Sequence, residues 1–426
     1  MIDRRQFLAK ATAFLAALKF MPWRASAMQT SGRMNTPSAA PVNLGIIGAG
    51  SRGQALMRTF LRIPGVRFGA LCDIYEPRFA QARRITGEET PVFQDYRRLL
   101  QQGLDAVIIS TPLSLHAEHV TAALESGHHV YGEKSMALTV EGCNRIVEAV
   151  KRSGKYFQIG HQYHFAPWYR EALRQIRSGK IGKVMQIYSY WHRNSNWRRP
   201  VPNPKDPKLE RLINWRLYRE YSGGLLAELG SHHFHFANQV LGAMPETVTG
   251  TGGIDYWKDG REVADNVQAL YRYAGGQTLF FSAITTNRME GAQIRVYGTG
   301  GTLVITQADA TSYYEPAMAS SAVPEGLVVE HGVVTSASFR AEEPYRGPGE
   351  PLPVPEGTAG SPDFLASQSF IEGIRNDQRP DADEHAGWAS AVMVALGNQA
   401  IESGTRVALP MSAHLPDAAL FDARHL

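Results

Sequence analysis

Apolar and polar positions follow two different rhythms along this chain. From Val42 onward, short apolar runs read as strands: Val42–Ile47, Val66–Cys72, Ala106–Ser110 and His129–Tyr131, with Tyr156–Ile159 a candidate for the last. Between them Arg52–Ile63, His116–Ser126 and Val140–Ser153 repeat apolar residues at helical spacing. Strands alternating with helices in this way predict a doubly wound parallel sheet, because parallel neighbours need a crossover to connect them. Beyond about residue 165 the rhythm changes. A helix over Trp168–Ser178 leads into Val184–Tyr190, which alternates like a half-exposed strand. Val267–Tyr273, Thr278–Thr285, Gln293–Tyr297 and Thr302–Thr306 then follow with short glycine-containing turns. Such a run predicts an open, mainly antiparallel sheet. Residues 307–360, rich in Pro, Gly, Ser and Glu, predict a long excursion before two closing helices, Phe364–Asn376 and Glu384–Ser403. The expected fold class is α/β, with an N-terminal doubly wound sheet and a C-terminal α+β domain.

Composition narrows the function classes. With 426 residues, 43% apolar and 20% charged, the chain can bury two cores, and disorder, collagen and coiled coil are excluded. Of 44 basic and 40 acidic residues, the first 27 positions hold five and one, so the remainder carries no net charge. Nucleic-acid binding has no electrostatic support there. The opening Asp3-Arg4-Arg5-Gln6-Phe7-Leu8-Ala9-Lys10, a weakly apolar Ala11–Leu18 and Ala25-Ser26-Ala27 form the pattern of a twin-arginine export signal over 1–27. The expectation is export in the folded state by the twin-arginine machinery to the periplasm or another extracytoplasmic site. Residues 28–41 read as a linker, 42–165 as the first domain and 166–426 as the second, with no segment apolar enough to span a membrane. Cys72 and Cys143 sit in apolar runs without metal or redox spacing, so no disulfide framework is expected.

Candidate chemistry begins at Gly48-Ala49-Gly50-Ser51-Arg52-Gly53, between a predicted strand and a predicted helix. Gly48 permits the tight turn, Gly50 lets a pyrophosphate approach the backbone, and Gly53 allows close packing of helix on strand. Asp73, twenty residues after Gly53, ends the next strand, where a carboxylate accepts a ribose hydroxyl. That favours NAD, while the nearby Arg78 leaves NADP open. Ser110-Thr111-Pro112, followed by His116, and Glu133-Lys134 lie at the ends of later strands, which face the ligand crevice of an open parallel sheet. In the second half, Gly223-Gly224-Leu225-Leu226-Ala227-Glu228-Leu229-Gly230-Ser231-His232-His233 reads as helix, with Glu228 and His232 four apart on one face. His232 suits a general base, Lys134 a donor to developing alkoxide charge, and Glu228 a partner that orients or charges the imidazole. The His-His-x-His run has no recognised metal-ligand spacing, and no metal is expected. Between Trp191 and Tyr221, Trp191, Trp197, Trp215 and Tyr218 offer flat faces, and His192, Arg193, Arg198, Arg199 and Arg216 offer donors suited to a sugar.

The order of these motifs, GAGSRG, STPLSLHAEH, GEKSMALTVEGC and a GGLLxELGxH helix, resembles the glucose–fructose oxidoreductase/inositol dehydrogenase family (Gfo/Idh/MocA). The resemblance covers most of residues 42–306. It implies a Rossmann domain binding NAD, an open-sheet second domain, and dimers or tetramers formed through that sheet. It also implies catalytic roles for Lys134 and His232, a role for Glu228 where the family carries Asp, and Gln162 near the nicotinamide. Trp215, Arg216 and His233 are the expected substrate contacts, beside the cofactor contacts Ser51, Arg52, Thr111, Pro112, His116, Glu133 and Lys134. Ser135 replaces the family's usual Pro, so a less rigid Lys134 loop is expected. The function so implied is an NAD(P)-dependent sugar, glycoside or cyclitol oxidoreductase with a tightly bound cofactor. A redox-neutral NAD-dependent glycosidase or epimerase is the alternative, and a non-catalytic sugar- or cofactor-binding protein a second.

Overall fold

The computed structural model describes residues 40–315, 329–330, 333–334, 349–354 and 360–409. The expected export signal, most of the linker and most of the polar excursion lie outside the described residues.

The first sheet has six parallel strands: β1 (Val42–Ile47), β2 (Val66–Cys72), β3 (Val92–Phe93), β4 (Ala106–Ile109), β5 (His129–Gly132) and β6 (Phe157–Ile159), in the order β3-β2-β1-β4-β5-β6. The order reverses between β1 and β4, and there the carboxyl ends of the strands open a crevice. Leu44, Ile46, Ile108 and Ile109 are wholly buried, as a sheet covered on both faces requires. The helix Ser51–Phe60 covers one face, and His116–Glu125 and Val140–Ser153 also pack on the sheet. The short β3 and the helix Pro77–Thr86 are additions to the sequence-based pattern.

The second sheet has nine strands. They are β7 (Val184–His192), β8 (Thr247–Gly253), β9 (Asn266–Arg272), β10 (Thr278–Ile284), β11 (Ala292–Gly298), β12 (Gly301–Thr306), β13 (Ala310–Tyr314), β16 (Glu350–Pro351) and β17 (Val407–Ala408). The two-residue β14 (Val329–Glu330) and β15 (Val333–Val334) pair separately. The order is β16-β13-β12-β11-β7-β10-β9-β8-β17, antiparallel throughout except between β7 and β10. β8 and β13 were not expected, because Thr247-Val248-Thr249-Gly250-Thr251-Gly252-Gly253 and Ala310-Thr311-Ser312-Tyr313-Tyr314 carry little apolar alternation.

Inward residues Ile187, Leu279, Phe281, Ile294 and Leu303 build the second core against helices Pro167–Arg177 and Ser231–Leu241. The opposite face carries half-buried aromatics, with Tyr188 set edge-on to both Phe280 and Tyr297 at 5.6 and 5.4 Å. The closing helices Pro362–Asn376 and Glu384–Ser403 return to the first sheet. There Phe370 packs on Phe60 and Tyr131, and Trp388 donates to Asn144. Both cysteines are buried and unpaired, and burial pushes each thiol up to about 12.

Candidate active site

The glycine loop has the geometry its spacing predicts. Gly48 has φ +100°, and a Cβ there would lie 2.6 Å from the Ser110 carbonyl oxygen. A Cβ on Gly53 would lie 2.1 Å from the Gly48 carbonyl oxygen, so helix and strand meet with no space for a side chain. At Gly50 the nearest atom to such a Cβ is Arg78 Cζ, 3.7 Å away, and this face of the loop is open. Gly50 starts the helix Ser51–Phe60 without a side-chain cap or an acid in the first turn. Its first amides therefore remain available to an anion. Asp73 accepts from the Ala49 N–H at 2.8 Å and the Tyr75 N–H at 2.8 Å, and Arg78 donates to both carboxylate oxygens at 3.1 Å. Asp73 thus also fastens the glycine loop to β2.

The loops after β4 and β5 are tied together by His116. Its ring nitrogens lie 3.0 Å from the Thr111 carbonyl and 2.9 Å from the Ser135 carbonyl. Burial lowers the pKa of this imidazole, and the two carbonyl acceptors oppose that shift. In the loop that carries Lys134, Ser135, Met136 and Ala137 are buried, and the Lys134–Ser135 peptide bond is cis. Arg52 donates to Glu133 at 2.7 Å and to Asp363 at 2.8 Å, the second carboxylate arriving from a helix 311 residues away. Nothing in local sequence signals that partner.

Lys134 reaches the second domain. Its ammonium donates to the Glu228 carbonyl oxygen at 2.9 Å and lies 3.5 Å from the Glu228 carboxylate, which also accepts from Arg216 at 2.9 Å. Burial alone would raise the Glu228 pKa, but the charges and hydrogen bonds of Lys134 and Arg216 override it and hold the carboxyl at about 2. Glu228 does not pair with His232, contrary to the four-residue spacing. Leu226–Gly230 is a turn of π-helix ahead of the α-helix Ser231–Leu241, and its wider winding changes which residues share a face.

His232 is 5% exposed, and its buried Nδ1 has no partner among the described residues. Burial, then the nearby Lys134 charge, hold its pKa well below the ordinary value, so the ring is neutral at physiological pH. Tyr163 stands edge-on to it at 5.1 Å, and Trp191 lies at 5.7 Å.

These groups line one cavity of about 640 Å³ that runs from Gly48, Gly50, Ser51, Arg52 and Asp73 past Thr111, Pro112, His116 and Glu133 to Lys134, Gln162, Glu228 and His232. Trp191, Arg193, Arg199, Trp215 and Arg216 form its far wall. Gly53 packs behind the loop, as its role in helix–strand contact requires. The buried Gln162 Oε1 has no partner among the described residues.

Five expected contacts fall elsewhere, Trp197 among them, which does not line the cavity. His233 is turned about 100° from His232 by helix geometry and stacks on Trp191 at 5.1 Å behind the cavity. Tyr218 is buried and donates to Glu210 at 3.0 Å. Arg198 is paired with Glu210 and Asp259. His192 bonds Ser282 at 3.1 Å on the outer face of the sheet. Tyr163 and Gln307 line the cavity without having been expected there. Tyr163 follows Gln162 directly, but no periodic signal marks it.

Comparison with known proteins agrees with this geometry. Residues 42–161 match the oxidoreductase family with an NAD-binding Rossmann fold, and residues 169–304 match the GFO/IDH/MocA C-terminal domain. A 2,7-anhydro-N-acetylneuraminate hydratase of Mediterraneibacter gnavus is 33% identical over 215 residues, 50% of this chain and 52% of that protein. The scyllo-inositol 2-dehydrogenase (NAD(+)) of Bacillus subtilis is 29% identical over 214 residues, 50% of this chain and 58% of that protein. The chain spans about half the length of these curated relatives. Among solved structures, levoglucosan dehydrogenase in complex with NADH and levoglucosan has a TM-score of 0.67 at 20% identity, covering 87% of this chain and 100% of that one. An aldose-aldose oxidoreductase from Caulobacter crescentus, complexed with glycerol, has the same TM-score at 21% identity, again covering 87% and 100%. These two likenesses are of fold. With both of its domains matched in sequence order, the chain belongs to the Gfo/Idh/MocA family of oxidoreductases.

Proposed function

We propose that this protein is an NAD-dependent oxidoreductase that acts at a carbinol carbon of a sugar, glycoside or cyclitol and holds its cofactor tightly. The observation that carries the reading is the meeting of Lys134, Glu228, Arg216 and a neutral His232 where the glycine-loop crevice opens into an aromatic-walled cavity.

The crevice suits a dinucleotide. Gly50 leaves room over an uncapped helix start, Arg199 donates to Ser51 Oγ at 2.9 Å beside it, and Gln162 lines the same cavity. The amides from Ser51 onward and Arg199 would hold the pyrophosphate, Asp73 the ribose and Gln162 the carboxamide. NAD supplies the hydride acceptor. The protein's own contribution is proton and charge management. His232, neutral and lining the cavity, accepts the substrate hydroxyl proton. Lys134 donates a hydrogen bond to the same oxygen and stabilises its developing charge. Glu228 and Arg216 fix the ammonium so that it need not reorganise as charge builds.

A redox-neutral variant, in which transient oxidation assists an elimination or epimerisation, is favoured by one comparison: the 33% identical relative is a hydratase. The twin-arginine pattern supports it as well, since an exported enzyme has no free NAD pool and must regenerate a captive cofactor. Export to the periplasm is part of this proposal, and its motif lies outside the described residues. Assembly into a dimer or tetramer through the outer face of the nine-stranded sheet is supported by the aromatic ladder of Tyr188, Phe280 and Tyr297.

Denaturing the purified protein and identifying any released dinucleotide tests the reading, followed by a sugar screen at 340 nm. About one NAD or NADH per chain and an absorbance change with at least one sugar are expected. A protein that neither carries nor binds NAD overturns the proposal.

A further inference from the structure

The cavity wall carries a cation with no ion pair among the described residues. Arg193 follows β7 directly, and its backbone N–H donates to the Ile284 carbonyl at 2.8 Å, so the sheet fixes its position. Its guanidinium carbon lies 5.6 Å from the Trp191 ring centre and 6.0 Å from that of Trp197. Trp197 itself has φ +61°, a left-handed conformation that a bulky side chain adopts only where its surroundings hold it there. Two indoles thus hold the guanidinium beside the cavity.

The other arginines and the lysine of the inner cavity are accounted for. Lys134 and Arg216 share Glu228, Arg52 pairs with Glu133 and Asp363, Arg78 with Asp73, and Arg211 with Glu262. Arg199 bonds Ser51 at the pyrophosphate end. Apart from Lys208 this leaves Arg193, exposed at the cavity mouth, whose guanidinium makes no hydrogen bond or ion pair among the described residues. Burial lowers its pKa, and the charges of Tyr163 and Glu228 oppose that shift. Trp191, the ring under Arg193, lies 5.7 Å from His232, so Arg193 stands toward the reacting end of the cavity.

Resting on the oxidoreductase reading above, we propose that the substrate is a sugar acid whose carboxylate pairs with Arg193. A planar guanidinium held between ring systems presents a fixed fork, which matches the two oxygens of a carboxylate. Lys134 and His232 then meet a hydroxyl on the same molecule. Arg193 is a specificity residue: it selects which sugar enters and takes no part in the proton transfer.

The test uses the full chain loaded with NAD and three matched pairs of probes: glucose and glucuronate, galactose and galacturonate, mannose and mannuronate, with glucose 6-phosphate added. Binding is read from the shift in unfolding midpoint across a concentration series, and turnover from absorbance at 340 nm. At least one acid binds roughly 10–100-fold tighter than its neutral partner, the range for a hydrogen-bonded charge. Arg193→Gln removes that advantage and leaves NAD affinity unchanged, while Arg193→Lys retains part of it. Equal binding of every acid and its neutral partner overturns the proposal, as does an advantage that survives Arg193→Gln. A preference for the phosphorylated sugar alone overturns the carboxylate assignment. Acid-selective binding lost in Arg193→Gln, but without any change at 340 nm, supports the carboxylate site and counts against the oxidoreductase reading instead.

Discussion

Lys134 and Glu228 touch twice: the ammonium donates to the Glu228 backbone carbonyl at 2.9 Å and lies 3.5 Å from its carboxylate. The first contact depends on the course of the π-turn, the second on the side chain. Replacing Glu228 therefore removes only part of what positions Lys134. Glu228→Gln keeps the shape but takes away the charge that answers Lys134 and Arg216. Turnover should fall about 10-fold or more while bound NAD per chain is unchanged. Glu228→Asp, the residue usual in the family, should fall less. Equal turnover in all three proteins would show that the carboxylate does not position the lysine.

The glycine loop separates folding from binding. Gly50→Ala meets nothing closer than Arg78 Cζ at 3.7 Å, and the backbone there, at φ −69°, accepts any residue. This variant should melt close to the parent when both are free of cofactor, yet bind NAD at least about 10-fold more weakly, because the methyl group occupies the approach to the helix start. Gly53→Ala drives a Cβ to 2.1 Å from the Gly48 carbonyl oxygen and should fail to fold or lose several degrees of stability. Calorimetry and NAD titration on the two variants check both statements.

Much of this was legible in the sequence, and the part that was not has a physical reason. The parallel sheet, the glycine loop and the position of Lys134 follow from local pattern, because strand ends of an open parallel sheet face one crevice. The partnership of Glu228 could not be read. Its spacing from His232 presumes 3.6 residues per turn, and the π-turn at Leu226–Gly230 breaks that assumption. Asp363 joins Arg52 from the far end of the chain, a contact set only by the closing helices returning to the first sheet. The helix Pro207–Ile213, which brings Arg211 to the cavity, buries none of its residues and so leaves no apolar stripe to detect.

Acid should weaken the fold through its buried histidines. His233 is 2% exposed, and burial lowers its pKa to about 3. The folded ring stays neutral while the unfolded one takes up a proton below about 6.5. The stability this histidine permits is complete above pH ~6.5 and declines as pH falls from there toward 3, by about 2 kcal/mol between pH 6.5 and 5. The unfolding midpoint should thus drop between pH 7.5 and 5.0. His233→Phe, which keeps the stacking on Trp191, should narrow that drop. An identical pH dependence in the two proteins would contradict the buried, neutral assignment.

Catalysis should tolerate acid better than a free imidazole would. His232 must be neutral to accept a proton, and burial together with the Lys134 charge places its pKa well below 6.5. The acid limb of kcat/KM therefore lies well under pH 6.5, and its basal value at pH 6 should stay close to that at pH 7.5. Replacing Lys134 with Met removes one of the charges that depress the imidazole, so the residual activity of that variant should lose its acid limb at higher pH. A profile for the parent that bends at pH 6.5 would place the base elsewhere.

The central claim is that Lys134 and His232 carry the chemistry at the end of the dinucleotide crevice. The most direct measurement is the rate of absorbance change at 340 nm in the NAD-loaded parent, Lys134→Ala and His232→Ala, using whichever sugar the parent turns over. Both variants should bind one NAD per chain and react at least ~10²-fold more slowly, the low end for a positioned acid–base group. Near-parental rates in both would contradict the account.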